Sequence, residues 1–306
     1  MTSQTPRCAI TGATGFVGRG LVPYLSAKGL EVRTIARQPD ADTLDIDKLA
    51  RAFEGCDSIV HLLGRAHILG QDGPDALVQF RHVNVEMARA AADAGVKAGA
   101  RKFVFISSVA VFGRNSAADT LDDNTPTDPK TPYGASKLEA ENTLREIAAR
   151  HALSLAILRP PIVYGPGAPG NFARLTGAIR RGLPLPFGRV TQNRRTYLAR
   201  ENLCSAIEAA IRFTGQMSKA HVIADSASLS TRATIQAIAA GTGRAARLIP
   251  VPPSLLHAGL RALGRGAMAD QLVGSLQFDS RGFSALTGWT PTLSPQQGLA
   301  EMGGAA

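Results

Sequence analysis

The chain has 306 residues, of which 44% are hydrophobic and 19% are charged, so it can bury a large core and is too apolar for a disordered protein. Its net charge of +10 favours an anionic ligand, but the Lys and Arg residues are spread along the chain and only 5% of the residues are aromatic. This pattern speaks against nucleic-acid binding, which uses a basic stripe, and favours a small polyanion such as a dinucleotide or a nucleotide sugar.

The first 160 residues alternate short apolar runs with segments of helical periodicity. Strands are predicted at 7–11, 31–36, 57–63, 102–107 and 154–159, and helices at 16–28, 76–96 and 132–150. Strands that alternate with helices form βαβ units around a parallel sheet. We therefore predict an α/β fold, a Rossmann-type doubly wound parallel sheet, with a dinucleotide-binding domain over residues 1–160. Such a sheet binds its ligand beyond the carboxyl ends of its strands.

The second half of the chain is richer in proline and glycine, as in RPPIVYGPGAPG and IPVPPSLLHAGL, and its strand–helix alternation is irregular. This composition and irregular alternation predict a smaller, C-terminal substrate-binding lobe over residues 161–306, interleaved with the last strands of the sheet. A short amphipathic helix is expected at 254–263. Trp289, in LTGWTP, is expected to pack in the core.

A glycine-rich segment lies where the first strand turns into the first helix. It reads TGATGFVG, with Gly12, Gly15 and Gly18 in a GxxGxxG spacing. Glycine lets the backbone turn tightly and approach a pyrophosphate, and the helix N-terminus supplies N–H donors. The segment therefore predicts the phosphate loop of a dinucleotide site, to which Thr14, Phe16 and Val17 also contribute.

The residue after the second strand discriminates between nicotinamide cofactors. An acidic residue there would bind the ribose 2′-hydroxyl of NAD, but this sequence has Arg37, with Arg33 nearby. A guanidinium suits the 2′-phosphate of NADP. The sequence therefore favours NADP. If Arg37 only stacks on adenine, NAD is the cofactor.

A tyrosine and a lysine four residues apart open the helix at 132–150. This spacing places Tyr133 and Lys137 on one helix face, where a nearby ammonium is expected to lower the pKa of the phenol. Ser107 and Ser108 end the preceding strand, on the ligand side of the sheet, where a hydroxyl can bind the reacting oxygen. These residues predict acid–base chemistry at a carbonyl or alcohol centre.

Several classes of site and location are disfavoured. The three cysteines are far apart and form no CxxC pair, which speaks against disulfides and structural zinc. His61 and His67 lack further ligands at metal spacing, so we expect no metal. The N-terminus lacks the features of a signal peptide and no apolar run is long enough to span a bilayer, so we expect a cytoplasmic protein without membrane insertion.

The chain resembles the extended short-chain dehydrogenases/reductases of the nucleotide-sugar epimerase/dehydratase type. The matching segments are TGATGFVG, GCDSIVHLLG, VNVEMAR, RKFVFISSVAVFG, YGASKLEAE, LRPPIVYGPG, RRTYLARENL and LTGWTP. The resemblance implies that Tyr133 is the acid/base and that Lys137 binds the nicotinamide ribose. It favours Ser108 over Ser107 as the catalytic hydroxyl. It also assigns to the cofactor site Asp42 (or Asp45), Leu62, Leu63, Gly64 and Pro160.

The resemblance also bears on the substrate. Dehydratases of this family carry Asp-Glu after the catalytic hydroxyl, where this chain has Val109 and Ala110, so a dehydratase is disfavoured. Ile162 replaces an Asn that contacts the nucleotide sugar in relatives, and Asn171 is the candidate substitute. Arg195 matches the diphosphate-binding Arg, with a lobe-packing salt bridge as the alternative. Arg265 is the candidate for a second such Arg.

The segments GNF, LPLPFG, NRRTYL, PVPPSLL and GSLQFDS resemble small bacterial UDP-sugar enzymes of surface-polysaccharide synthesis. These include UDP-4-keto-6-deoxy-sugar reductases such as UDP-N-acetylquinovosamine dehydrogenases. The leading hypothesis is therefore reduction at C4 of a UDP-sugar. The alternatives are a UDP-hexose 4-epimerase with tightly bound NAD, a dinucleotide-binding redox sensor or complex subunit, and a reductase of apolar substrates. The helices at 76–96 and 132–150 resemble those that form a homodimer interface in relatives.

Overall fold

The short apolar strands form a parallel sheet at the centre of the protein. The computed structural model describes residues 6–35, 45–65 and 74–305. Its strands are β1 Arg7–Thr11, β2 Glu31–Ile35, β3 Ser58–His61, β4 Lys102–Ile106, β5 Ser154–Arg159, β6 Val163–Tyr164, β7 Leu198–Ala199 and β8 Ala220–Val222. Six of these strands form one parallel sheet in the order β2-β1-β3-β4-β5-β8, and β6 pairs with β7 in a separate parallel pair.

Helices cover both faces of the sheet. They are α1 Gly18–Ala27, α2 Ile46–Phe53, α3 Pro74–Arg81, α4 Met87–Lys97, α5 Pro132–His151, α6 Asn171–Arg180, α7 Arg200–Arg212, α8 Thr231–Thr242, α9 Pro253–Ala262, α10 Gly266–Val273, α11 Arg281–Thr287 and α12 Pro295–Gly304. A π-helix at His82–Glu86 joins α3 to α4, and a 3₁₀-helix at Val109–Phe112 follows β4. The predicted Rossmann-type α/β fold is confirmed, and the sequence reasoning missed α2.

Alternate residues of the central strands enter opposite cores. Phe103 and Phe105 of β4 pack with residues of α2, α4 and α5, whereas Val104 packs with residues of α1 and α7 on the other face. This two-sided burial explains why the strands are continuous apolar runs. Trp289 lies in the second core at 5% exposure and donates from Nε1 to Ser205 Oγ (2.9 Å), as predicted for a core residue.

The strand order reverses between β2-β1 and β1-β3, and this reversal opens a crevice at the carboxyl ends of β1 and β3. The glycine-rich segment and residues 62–64 both follow these strand ends. The chain leaves the sheet after β5, forms β6, β7 and the helices α6 and α7, and returns in β8, which pairs with β5. Within the described ranges, no helix is both long and apolar enough to cross a bilayer.

Candidate active site

The glycine-rich loop owes its shape to close backbone contacts. Gly12 has φ +75°, and a Cβ there would lie 2.7 Å from the Leu63 backbone nitrogen. A Cβ on Gly18 would lie 2.5 Å from the Ala13 carbonyl oxygen. The missing side chain of Gly12 therefore lets the loop pack against the end of β3, and that of Gly18 lets the loop turn closely into α1. Thr14 and Gly15 stay exposed before the N-terminus of α1, so the loop fits a pyrophosphate.

Arg200 anchors this loop to the C-terminal half of the chain, a contact that sequence reasoning missed. Its guanidinium lies 5.0 Å from the Phe16 ring centroid and donates to the carbonyl oxygens of Phe16 (3.5 Å) and Pro166 (3.0 Å). Val17 is the N-cap residue of α1 and is half-buried. The segment RRTYLARENL contains Arg200, but no local spacing relates this arginine to Phe16, 184 residues earlier in the chain.

The adenine-side residues are only partly described. Arg37 and Asp42 lie outside the described residues. Asp45 is the N-cap of α2 and accepts a hydrogen bond from Lys48 N (3.0 Å). Arg33 donates to the carbonyl oxygens of Ala52 (3.1 Å) and Glu54 (2.8 Å), so it binds the end of α2 and not the ligand side of β2.

A second arginine lies where the cofactor's adenosine end is expected. Arg19 is exposed on the first turn of α1 and donates from Nε to the Thr14 carbonyl oxygen (2.8 Å). Together with Thr14, Thr34 and Ile35, it lines a groove of about 320 Å³ between the glycine loop and the end of β2. The sequence signal for Arg19 was its place directly after the third glycine.

Lys137 is 5% exposed and lies at the centre of the candidate site. Its Nζ donates to the Ile106 carbonyl oxygen (2.9 Å) and lies 4.7 Å from the Phe105 ring centroid. Burial lowers the pKa of Lys137 to about 8, and the charge of Glu141 acts in the opposite direction. A Cβ on Gly64 would lie 3.1 Å from Nζ, so the chain after β3 closes one side of the ammonium.

Tyr133 and Ser108 meet because α5 approaches the end of β4 closely. Thr131 caps α5 through Gly134 N (3.1 Å), and a Cβ on Gly134 would lie 2.5 Å from the Ala110 carbonyl oxygen. Ser108 Oγ accepts from Ala110 N (3.1 Å). Burial raises the pKa of Tyr133, and a hydrogen bond with Ser108 lowers it by less. The expected net lowering of that pKa is therefore wrong, because desolvation outweighs the polar contacts.

Ser107 has a structural partner that Ser108 lacks. Its Oγ donates to the fully buried Glu141 (2.6 Å), which also accepts two hydrogen bonds from Arg159 (2.9 and 2.6 Å). Arg145 adds a fourth contact, at 3.0 Å. This network joins the ends of β4 and β5 to α5. Ser107 thus has a packing role, and Ser108 is the hydroxyl beside the tyrosine.

Asn84 in the π-helix organises the cofactor side, and sequence reasoning did not single it out. Its Oδ1 accepts from Arg65 N (2.9 Å), and its Nδ2 donates to Ser136 Oγ (3.0 Å). Ser136 in turn donates to the Tyr133 carbonyl oxygen (2.8 Å). Asn84 therefore connects the chain after β3 to the turn of α5 that carries the tyrosine and the lysine.

Arg195 is 6% exposed, and its Nη1 donates to three backbone carbonyl oxygens, those of Asn115 (3.2 Å), Asp270 (3.4 Å) and Gly274 (3.2 Å). Within the described ranges it pairs with no carboxylate, and its side-chain contacts join it to the backbone of residues 115, 270 and 274. Burial lowers its pKa. A buried guanidinium without a counter-anion suits an anionic ligand.

The other predicted substrate and cofactor residues differ in their exposure. Asn171 is exposed at the first position of α6, and Ile162 is 49% exposed. Pro160 is buried and its carbonyl oxygen accepts from Val109 N (3.1 Å), beside Ser108. Arg265 is exposed and is the N-cap residue of α10.

His61 is a core residue of β3. Its Nδ1 shares a 2.9 Å hydrogen bond with Thr11 Oγ1, and its ring stacks on Phe103 at 6.0 Å. Burial and the charge of Lys137 lower its pKa to about 3, so the ring is neutral at physiological pH. No group of three His, Cys, Asp or Glu side chains in the described part of the chain could hold a metal ion. His67 lies outside the described residues.

Comparison with known proteins agrees with this geometry. The family described as "NAD dependent epimerase/dehydratase family" matches residues 8–224. A UDP-glucose 4-epimerase from Vibrio cholerae is 31% identical over 95% of this chain and 92% of its own length. A Bacillus cereus UDP-glucuronic acid 4-epimerase solved with NAD has a TM-score of 0.76 at 20% identity, covering 97% of each chain.

A Pseudomonas aeruginosa protein named RMD, solved with NADPH, has a TM-score of 0.77 at 21% identity and covers 97% of this chain and 96% of its own. These two structures share the fold. The family match and the Vibrio relative go further, because they extend over most of the sequence. The chain is an enzyme of the NAD-dependent epimerase/dehydratase family, and its cofactor is NAD or NADP.

Proposed function

We propose that this enzyme is an NAD(P)-dependent oxidoreductase that acts at C4 of a UDP-sugar, of the 4-keto-6-deoxy-hexosamine reductase type. The observation that carries the proposal is the pairing of a complete Ser108–Tyr133–Lys137 set with Arg195, a buried cation without a carboxylate partner in the described chain. The Ser–Tyr–Lys set provides acid–base chemistry at a carbonyl, and the buried arginine suits a diphosphate.

The chain's residues have separate tasks in this reaction. The nicotinamide, when bound, supplies the hydride that reaches C4. Tyr133 delivers a proton to the C4 oxygen, and its raised pKa keeps the phenol protonated at neutral pH. Ser108 orients the same oxygen by a hydrogen bond. Lys137 presents a positive charge beside the tyrosine and binds the nicotinamide ribose, and the missing side chain of Gly64 keeps the lysine ammonium free of a close contact.

The residues after the catalytic hydroxyl favour a reductase or an epimerase over a dehydratase. Val109 and Ala110 form the start of the 3₁₀-helix, where water elimination would need a further acid and base. The exposed Arg19 in the adenosine-side groove favours NADPH, the usual reductant of biosynthesis. A UDP-hexose 4-epimerase with tightly bound NAD is the second candidate, and the identity to the Vibrio enzyme supports it.

We also expect a homodimer through α4 and α5. These helices pack against each other over one face of the sheet, as in the interface of the relatives that the sequence resembles. Sedimentation equilibrium measures the mass: a single-chain mass of 32.1 kDa contradicts the homodimer, and twice this value supports it.

The proposed function is tested on the purified enzyme by extracting its nucleotide and then measuring NADH and NADPH oxidation with a UDP-4-keto-6-deoxy sugar. Net oxidation by wild-type protein supports the reductase. Stoichiometric NAD that survives purification, with no net oxidation, supports the epimerase. Tyr133→Phe is expected to lose about a hundredfold to ten-thousandfold in kcat and to keep its cofactor affinity. Full activity of this variant contradicts the catalytic assignment, and a wild-type protein that carries no nucleotide and oxidises neither cofactor contradicts the proposed reductase and supports the redox-sensor alternative.

A further inference from the structure

The positive charge of the protein is concentrated in one part of the chain. Residues 171–274 contain fourteen Lys and Arg but only four Asp and Glu, so they account for the whole excess of +10. The other residues contain equal numbers of basic and acidic side chains. A dinucleotide site in the N-terminal half does not require this distribution.

Six of these arginines are exposed, four on two neighbouring segments and two at the helices α9 and α10 that follow. Leu185 pairs with Leu248 in a β-bridge, and Arg244 donates to the Arg180 carbonyl oxygen (3.1 Å). The end of α6 therefore lies beside residues 244–249, which lead directly into α9. The exposed arginines are Arg180, Arg181, Arg244, Arg247, Arg261 and Arg265.

Exposed apolar side chains occur on the same segments and helices as these arginines. Helix α9 has no buried residue, and its Leu255 is 63% exposed. Leu263, directly after the helix, is 72% exposed, and Met268 on α10 is 40% exposed. Leu183 and Ile249, on the two bridged segments, are 46% and 47% exposed. We call these five apolar residues and the six arginines the Leu–Arg face.

We propose that the Leu–Arg face binds the surface of an anionic membrane. A helix whose exposed side carries leucines and whose flanks carry arginines lies in the interface plane, with its apolar residues among the acyl chains and its cations at the headgroups. On α9, Leu255, Ala258 and Ala262 are exposed at a spacing of one helical turn, and Arg261 flanks them. Helices α9 and α10 form a helical hairpin, in which Asp270 is the single acidic residue, and it pairs with His257 (3.0 Å).

Charge decides against other occupants of this face. A second copy in a two-fold dimer would bring the same six arginines against each other, which is repulsive. Nucleic acid would use the arginines but would leave the leucines exposed, and the face has no aromatic side chain for base stacking. An anionic bilayer can bind the arginines through its headgroups and bury the apolar side chains among its acyl chains.

The Leu–Arg face is connected to the candidate substrate side. The Asp270 carbonyl oxygen accepts from Arg195 Nη1 (3.4 Å), so the α9–α10 hairpin that would lie on the bilayer also contacts the buried guanidinium. Membrane binding would thus hold the substrate lobe near the membrane surface. The proposal does not depend on which sugar or which C4 chemistry the enzyme uses.

The test is co-sedimentation of the full-length enzyme with vesicles of equimolar phosphatidylcholine and phosphatidylglycerol, compared with vesicles of phosphatidylcholine alone. Wild-type protein is expected to bind the anionic vesicles and to dissociate as salt is added. The double variant Leu255→Glu/Leu263→Glu is expected to bind about a hundredfold more weakly, since each buried leucine contributes roughly tenfold. Arg261→Glu/Arg265→Glu is expected to lose at least about tenfold.

Val78→Glu is the matched control, because Val78 is 67% exposed on α3, outside the Leu–Arg face, and its variant is expected to bind like wild type. All these side chains are exposed, so the variants should unfold at the wild-type temperature. Failure of wild-type protein to bind anionic vesicles overturns the proposal. So does wild-type affinity in Leu255→Glu/Leu263→Glu, or a fall in oligomeric mass in that variant, which would make the face a subunit interface.

Discussion

Ser107 Oγ donates a 2.6 Å hydrogen bond to Glu141 Oε1, and Glu141 lies one helical turn beyond Lys137 on α5. The residue next to Ser108 and the helix that carries Tyr133 are therefore held by one buried carboxylate. Arg159, at the end of β5, neutralises that carboxylate through two hydrogen bonds. The relative position of the proposed catalytic residues thus depends on a buried ion pair that does not itself contact the reacting atoms.

Glu141→Gln is expected to weaken both folding and activity. The change leaves the 6%-exposed Arg159 side chain without its counter-charge, which costs about 3–5 kcal/mol of unfolding free energy for a buried pair. It also removes the charge that raises the pKa of Lys137. The fall of kcat that we expect at alkaline pH, as Lys137 loses its proton, should therefore begin at a lower pH. Urea denaturation and the pH profile measure the two effects.

The control for this change is Glu146→Gln, on the exposed side of the same helix, which should alter neither property. If Glu141 were only structural, Glu141→Gln would lower stability without changing how kcat depends on pH. An unchanged pH dependence of kcat therefore contradicts an effect of Glu141 on Lys137.

The two neighbouring serines should have separable roles. Ser108→Ala removes the hydroxyl beside Tyr133, and kcat should fall about a hundredfold or more with little change in stability. Ser107→Ala removes a hydrogen bond to a buried carboxylate, and the unfolding free energy should fall by about 1.5–3 kcal/mol with kcat largely kept. Steady-state kinetics and urea denaturation on both variants measure this. The reverse assignment is correct if Ser107→Ala has the larger kinetic effect.

The pKa of Lys137 predicts the alkaline limit of activity. Below about pH 8 the amine is charged, and above it the neutral form dominates. Because the charged form is the one that supports the tyrosine, kcat should be constant below this pH and fall as the pH rises through it. Lys137→Arg keeps the charge at all these pH values, so it should lower kcat overall and abolish the limb. If kcat of Lys137→Arg still falls near pH 8, a titratable group other than Lys137 causes the fall.

Gly134 should be intolerant of a methyl group. A Cβ there would lie 2.5 Å from the backbone oxygen of Ala110, which cannot move without shifting the segment after Ser108. Gly134→Ala should therefore cost about 1–3 kcal/mol of unfolding free energy and lower kcat. Gly177→Ala on α6 is the control, since no atom lies within 4 Å and alanine favours a helix by up to about 1 kcal/mol. Equal effects of both changes would contradict the close approach.

Arg19 should influence cofactor preference. If it binds the 2′-phosphate from the groove beside Thr34, Arg19→Ala should raise the KM for NADPH about tenfold or more and leave the KM for NADH nearly unchanged. Arg37→Ala is compared in the same assay. An equal rise for both cofactors would place Arg19 at the pyrophosphate, which NAD and NADP share.

Local patterns were sufficient to predict the Rossmann fold, the glycine loop and the candidate catalytic residues. Strand and helix periodicity depend on neighbouring residues, and the spacing of Tyr133 and Lys137 on one helix face follows from 3.6 residues per turn. The predicted bounds of β1 and β5 agree with the structure, and the helix predicted at 132–150 differs from α5 by one residue at its end.

Only the tertiary structure decided the long-range contacts and the electrostatics. Arg200 contacts the Phe16 carbonyl oxygen and Arg195 contacts that of Asp270 across 184 and 75 residues of sequence, and no local pattern encodes such pairings. The raised pKa of Tyr133 is a consequence of burial, which sequence spacing does not reveal. Sequence determined which chemical groups the site contains, and folding determined their solvation and their partners.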